Sequence, residues 1–188
     1  MLALDSSQAD YTLELLANQG IGFREADLGG HRVFWDLRPA GGFGSALSPV
    51  DLTLRANVGG ATHLARDKNP ASRWDTGRPR QADDRLEIDL GRELVLAGLG
   101  LEAQPAPQDL PAALELELSS DGQNWRRVDY RRIVLGPLVF GGDRLLTANT
   151  GRLRLEFTPQ AARHLRLRLI QGHPQLYWSV YELSVWLA

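Results

Sequence analysis

The chain has 188 residues, 43% of them hydrophobic and 23% charged, enough apolar material for one domain of ordinary size with a sizeable core. Its 21 basic residues against 23 acidic ones leave a formal charge of −2, which argues against a protein dedicated to the nucleic-acid phosphate backbone. There is no cysteine, so disulfide frameworks, thiolate metal sites and cysteine nucleophiles are excluded together.

Met1-Leu2-Ala3-Leu4-Asp5 lacks the basic start and apolar stretch of a signal peptide. No apolar run reaches the roughly 18 residues of a membrane span. Work outside the cytoplasm would therefore need an export signal in sequence beyond this chain. Residues 8–19 place Tyr11, Leu13, Leu15 and Leu16 among good helix formers, and Gly20 stands where a helix would stop. Ile21 to Glu25 and His31 to Leu37 read as two short strands around a Gly29-Gly30 turn. Pro39 to Ser45 reads as a linker. Residues 1–45 thus form a small helix-plus-hairpin appendage, and 46–188 form the main domain.

From about Val50 the pattern is strand after strand. Leu86, Ile88 and Leu90 alternate with Glu87 and Asp89, and Leu114, Leu116 and Leu118 alternate with Glu115 and Glu117. Leu153, Leu155 and Phe157 alternate with Arg154 and Glu156, and Leu165, Leu167 and Leu169 alternate with Arg166 and Arg168. Alternation with period two puts one face in the core and one in water, the mark of antiparallel sheets packed as a sandwich. No helical pattern separates the strands, which excludes a doubly wound fold. Leucine is a mediocre strand former, so the alternation decides the class: all-β.

Five segments then occur in order: Asp67 to Trp74, Asp89-Leu90-Gly91, Ser119 to Trp125, Ala162 to Arg166, and Trp178 to Glu182. Over roughly Asp51 to Leu187 this series resembles the discoidin, or coagulation-factor type C, family. The resemblance implies an antiparallel jelly-roll β-sandwich of the galactose-binding type, similar to discoidin-type carbohydrate-binding modules. It implies recognition through loops at one end, so the chain is expected to be a non-catalytic binder of a cell-surface or exogenous glycan. His31 to Pro39 is also similar to a stretch in bacterial membrane glycosyltransferase-like proteins. That implies, as an alternative, an extracytoplasmic accessory domain docking on its own membrane-anchored chain without a sugar pocket.

The family often carries calcium at one end of the sandwich. By position, the implied ligands are Asp67, Asn69, Ser72 and Glu182, with Ala65 close by through its backbone. Calcium takes six to eight oxygens, which a tight loop can supply from side chains and carbonyls. The chain departs from the family in having Lys68 where glycine is usual and Asn69 where an acid is usual. The other reading makes Asp67 and Ser72 hydrogen-bonding partners within the loop and pairs Glu182 with Arg73. For sugar, Gln171 to Trp178 is the candidate loop. His63, Arg78, His173, Tyr177 and Trp178 are the expected contacts, and Arg80 lies on a loop brought to the same end. An aromatic face suits the C–H face of a sugar and charged groups suit its hydroxyls.

The apolar run Ile133 to Phe140 could be a lipid-inserting spike, but buried strands around a Gly136-Pro137 turn are the expected reading. Trp74, Trp125 and Trp186 match framework positions and are expected in the core. Arg163, Arg166 and Arg168 are expected to pair with the acidic strands on a solvated face. His31, His63, His164 and His173 lack metal-ligand spacing, and Asp83-Asp84 reads as a solvated polar turn. No catalytic motif is visible.

Overall fold

The computed structural model describes residues 2–4, 12, 13, 16, 21–28, 31–39, 47, 52–141 and 144–188. Near the N-terminus, β1 (Leu2–Leu4), β2 (Ile21–Leu28) and β3 (His31–Pro39) pair antiparallel in the order β1-β3-β2. Both strands of the expected hairpin are there. β1 is an addition, since three residues are too few to show a period. Thr12, Leu13 and Leu16 are helical, with Thr12 and Leu16 buried at a spacing of four, one face of a helix. The Gly29-Gly30 turn and most of the Pro39–Ser45 linker lie outside the described residues.

The remaining strands are β4 (Thr53–Ala56), β5 (Trp74–Asp75), β6 (Arg85–Glu102), β7 (Leu114–Ser119), β8 (Arg126–Val128), β9 (Arg131–Leu135), β10 (Leu138–Gly141), β11 (Arg144–Thr147), β12 (Arg152–Leu169), β13 (Ser179–Val180) and β14 (Glu182–Leu187). Two of them, β6 and β12, run for 18 residues each and build the sandwich. The first half of β6 pairs with β4 and with the second half of β12, which in turn pairs with β7, and β7 with β8. The second half of β6 pairs with β14 and with the first half of β12, whose other edge takes β9. Register shifts at Glu156/Gln160 and Ala162/His164 mark where the long pair bends from one layer to the other. The two leucine series at 153–157 and 165–169 therefore belong to a single strand. They were separable in sequence only because Thr158-Pro159-Gln160 breaks the alternation.

The inward series fills the space between the layers. Leu86, Ile88, Leu99, Leu101, Leu116, Leu118, Leu155, Leu165 and Leu167 are all buried in one cluster. Each such side chain contributes about 1.5–3 kcal/mol by leaving water. Gly98 and Gly100 interrupt this leucine pattern for a tertiary reason. A Cβ on Gly100 would stand 2.4 Å from the Trp186 ring, so the indole lies across bare backbone. Trp186 is half-buried, with the Arg154 guanidinium 5.4 Å from its ring centre. Its expected place in the core is thus corrected: it closes the edge of a layer.

The run Ile133 to Phe140 divides at Gly136-Pro137 into β9 and β10, which have different partners, β12 and β11. Ile133 is buried, but Val134 and Leu135 are half-buried and Val139 is 41% exposed, so the expectation of buried strands is corrected for the rest of the run: its strands lie towards the edge. Among the described residues, no helix is long and apolar enough to cross a membrane.

Candidate functional site

Two loop systems hold the residues singled out in the sequence. The first follows β4. A 3-10 turn at Thr62–Ala65 is anchored by the buried Ala65 and by the Thr62 hydroxyl, which donates to the Leu54 carbonyl at 2.8 Å. After it, Asp67 organises the chain. Its Oδ1 accepts the Asn69 amide at 2.9 Å and its Oδ2 accepts the Ser72 hydroxyl at 2.6 Å. These bonds hold the Asp67 carboxyl below the usual carboxylate range, the Ser72 bond foremost. Lys68 adopts φ 59°, so the position where the family has glycine needs a left-handed backbone and lysine takes it at a cost.

Glu182, at the start of β14, meets this loop. Burial pushes its carboxyl up, with the neighbouring Asp67 charge adding to the rise and the Lys68 and Asn69 amides opposing it. Its Oε1 is buried without a hydrogen-bond partner. The pairing of Glu182 with Arg73 is not found. Arg73 instead binds Asp75 at 2.9 Å and the Tyr181 hydroxyl at 2.8 Å. An orphaned carboxylate oxygen beside a loop that carries a second carboxylate suits a hard cation, because a cation would replace repulsion by attraction. Among the described residues, though, no cluster reaches three His, Asp or Glu side chains. Loop carbonyls would have to supply the rest.

The second system joins the loop before β6 to the loop after β12. Thr76 and Trp178 exchange bonds: the Thr76 amide donates to the Trp178 carbonyl at 3.1 Å, and the Trp178 amide to Thr76 Oγ1 at 3.2 Å. The Arg80 amide donates to the Leu176 carbonyl and the His173 amide to the Arg80 carbonyl, each at 2.9 Å. Arg80 itself is buried and donates to the carbonyls of Asp109 and Tyr177, both at 3.1 Å. Gly172 permits the close approach, since a Cβ there would lie 2.9 Å from the Arg80 carbonyl oxygen. Between the loops lies an open depression of about 440 Å³, lined by Pro79, Arg80, Gln81, Gly172, His173 and Pro174 among others.

Within this system the expected contacts separate. His173 Nδ1 accepts the Gln175 and Leu176 amides at 3.2 and 3.0 Å, so a neutral ring carries its proton on Nε2 and offers that as a donor. Tyr177 is half-buried on the same loop. Arg78 makes a two-pronged pair with Asp84, at 2.6 and 3.0 Å. Asp84 is buried and also accepts the Gln81 amide at 2.7 Å. That corrects the reading of Asp83-Asp84 as a solvated turn: only Asp83 is exposed. The sequence signal was weak, because adjacent acids look alike until one is turned inward.

Trp178 requires a correction too. It is 0% exposed and stands edge-on to Trp74, ring centres 5.2 Å apart at 81°. A ring with no accessible face cannot stack on a sugar. His63 is exposed on the 3-10 turn, near enough to Asp67 to lower its carboxyl further. It therefore belongs with the Asp67 loop, and it does not line the depression beside His173.

The family model of the F5/8 type C domain matches residues 51–183. A search of curated protein sequences gives no match. Among solved structures, the chain is similar to CpGH89CBM32-5 from Clostridium perfringens, in complex with GalNAc-beta-1,3-galactose. The identity is 19% and the TM-score 0.58, over 76% of this chain and 99% of that one. It is similar to CBM32-3 of a family 31 glycoside hydrolase from Clostridium perfringens, at 19% identity and TM-score 0.59, over 76% and 95%. A third similar structure is the family 32 module of NanJ from C. perfringens in complex with galactose. There the identity is 17% and the TM-score 0.56, over 74% and 96%. At these identities the likeness shows the fold.

Proposed function

Because the chain belongs to the F5/8 type C domain family, we propose that it is a non-catalytic module binding carbohydrate at the paired loops 76–84 and 171–178. The observation that carries this reading is the depression between them, pre-formed by backbone bonds and rimmed by the His173 donor. A site already held in shape spends little ordering entropy on binding. Outside the lining of the depression but on the same two loops, Tyr177 supplies a half-exposed aromatic ring and Arg78, fixed by Asp84, keeps further N–H groups for hydroxyls. Similar structures are described with GalNAc-beta-1,3-galactose and with galactose, so those are the sugars to test first. The module spans 46–188 in this proposal, with 1–45 as an appendage, and meets its glycan outside the cytoplasm.

Calcium belongs to the same proposal in a structural role. Asp67, Glu182, Asn69, Ser72 and the Ala65 backbone would hold it, and it would supply positive charge where Glu182 Oε1 stands orphaned.

Titration calorimetry of the wild type and Tyr177→Ala with both sugars tests the reading. Binding should weaken about tenfold, or 1.4 kcal/mol, with the thermal melt unchanged. Equal affinity in the variant, or silence across a broader glycan panel, would sink the loop-end site.

A further inference from the structure

The outer face of the layer built by β4, the first half of β6, the second half of β12, β7 and β8 carries a second concave site, which shares no lining residue with the depression above. It is a cleft of about 310 Å³, at the lower end of the range for small-molecule sites. Thr53 and Arg55 of β4 and Glu87 and Asp89 of β6 form its floor, while the turn 121–125 and His164 of β12 wall it. Antiparallel register brings them together, since Arg55 is paired with Glu87, Thr53 with Asp89, and His164 with both Asp89 and Ser119.

The wall is rigid. Asp121 Oδ1 accepts the Gln123 and Asn124 amides, both at 2.8 Å, and the Ser119 hydroxyl at 2.9 Å. These bonds hold its carboxyl far below the usual range. Trp125 is half-buried, pinned by its Nε1 donating to the Gly122 carbonyl at 3.2 Å and capped on one face by Arg166 at 3.7 Å. Its placement corrects the expectation of a core residue.

The charges cancel. The lining holds the carboxylates of Glu87, Asp89 and Asp121 and the guanidinium of Arg55, and arginines outside the lining neutralise two of those acids, Arg163 at Asp89 and Arg85 and Arg166 at Glu87. Arg163 grips Asp89 at 2.9 and 3.1 Å, and Arg166 grips Glu87 at 2.9 Å. The Arg55 guanidinium, the Gln123 side-chain amide and the Thr53 hydroxyl have no partner among the described residues. A phosphate or a uronic acid would meet three carboxylates here, and a cation would have to displace the arginines already bound to Asp89 and Glu87.

A neutral polyol meets neither penalty. Each of its hydroxyls both donates and accepts. Carboxylates held in ion pairs keep lone pairs to accept, while Arg55, Gln123 and Thr53 are free to donate. The uncovered part of the indole offers apolar contact to ring C–H groups. We propose that this sheet-face cleft is a second glycan site, specific for an uncharged sugar, making the chain bivalent. Two weak sites on one body gain from effective concentration whenever the glycan is displayed as a dense surface. The inference stands apart from the loop-end reading, since no residue is shared.

The test is nuclear magnetic resonance on the isotope-labelled full chain, following the Trp125 indole, Gln123 side-chain and Arg55 Nε–H signals. The probes are galactose, N-acetylgalactosamine, N-acetylglucosamine, glucose, mannose and galacturonate, each taken to tens of millimolar. Saturable shifts of these signals with at least one neutral sugar are expected. They should persist in Tyr177→Ala and weaken at least tenfold in Arg55→Ala/Gln123→Ala, whose exposed positions leave the melt unchanged. The inference is overturned by shifts with galacturonate alone, by no shift with any neutral sugar, by loss in Tyr177→Ala, or by wild-type affinity in the double variant. Signals of His173 and Tyr177 report the loop end independently in the same titration, so the two readings fail separately.

Discussion

The outer face of the layer holding β6, β12 and β7 and the loops that connect its strands handle polar side chains in opposite ways. On the sheet face, partners come from register. Arg166 lies between Glu87 and Glu117 because those three residues are aligned across β6, β12 and β7. Arg168 likewise reaches Glu115 on β7 and Asp83 beside β6. In the loops, partners come from chain closure, and most polar groups are consumed in holding the loop: Asp67 by Asn69 and Ser72, Asp84 by Arg78 and Gln81. The lesson is that a charged residue in a loop of this fold is a structural part first. Only what closure leaves over, such as Glu182 Oε1 or His173 Nε2, is available for a ligand.

The sharpest way to break that contrast is Trp178→Ala. If the indole is core, the loss is about 3–5 kcal/mol, from lost transfer energy and the cavity left beside Trp74. Denaturant unfolding measures it. A variant of wild-type stability that merely loses sugar would return Trp178 to the surface and undo the correction.

Next in size is Glu182→Gln. A carboxyl whose folded pKa is raised favours the folded state below the ordinary Glu value, about 4.3, and that contribution is lost as pH rises through the folded value. The amide should therefore raise the melting temperature at neutral pH, by less than Trp178→Ala lowers it. The gain should vanish near pH 4. Millimolar calcium should raise the wild-type melt and do less for the variant, since a ligand specific to the native state stabilises it. A wild-type melt indifferent to calcium would remove the cation from the proposal.

Smallest is the acid limb. Asp89 is held at about 2 by Arg163, and Asp67 and Asp121 are also depressed by hydrogen bonds. Depressed acids stabilise the fold above their unfolded pKa, and the effect is lost as pH falls through the folded values. The melting temperature should drop gently from about pH 4 towards 2, and less so in Asp89→Asn. Asp67 and Asp121 are exposed and Asp89 is half-buried, so solvent screens all three and a steep collapse above pH 5 would point elsewhere.

Much of the fold was legible because period-two alternation needs no tertiary knowledge: Leu86, Ile88 and Leu90 announce an inward face wherever the strand lies. The site was less legible. His173 and Tyr177 drew notice because a loop rich in polar and aromatic residues stands out, and they remain the proposed contacts. Trp178, one position on, looked identical in kind, and nothing local says that its ring turns inward against Trp74. Arg55 and Gln123 carry no motif at all, and only the pairing of β4 with β6, of β6 with β12 and of β12 with β7 brings them to one cleft.

By itself, then, the sequence determined the all-β class, the alternating faces and the ordered series from Asp67 to Glu182 that marks the family. Those are properties of short windows, where side-chain direction follows from backbone period. Tertiary structure alone decided that β6 and β12 each serve both layers, that Gly100 yields to Trp186, and that Glu182 meets the Asp67 loop with an oxygen to spare. Such contacts join residues far apart in the chain, and their energies depend on distances and burial that no local pattern encodes.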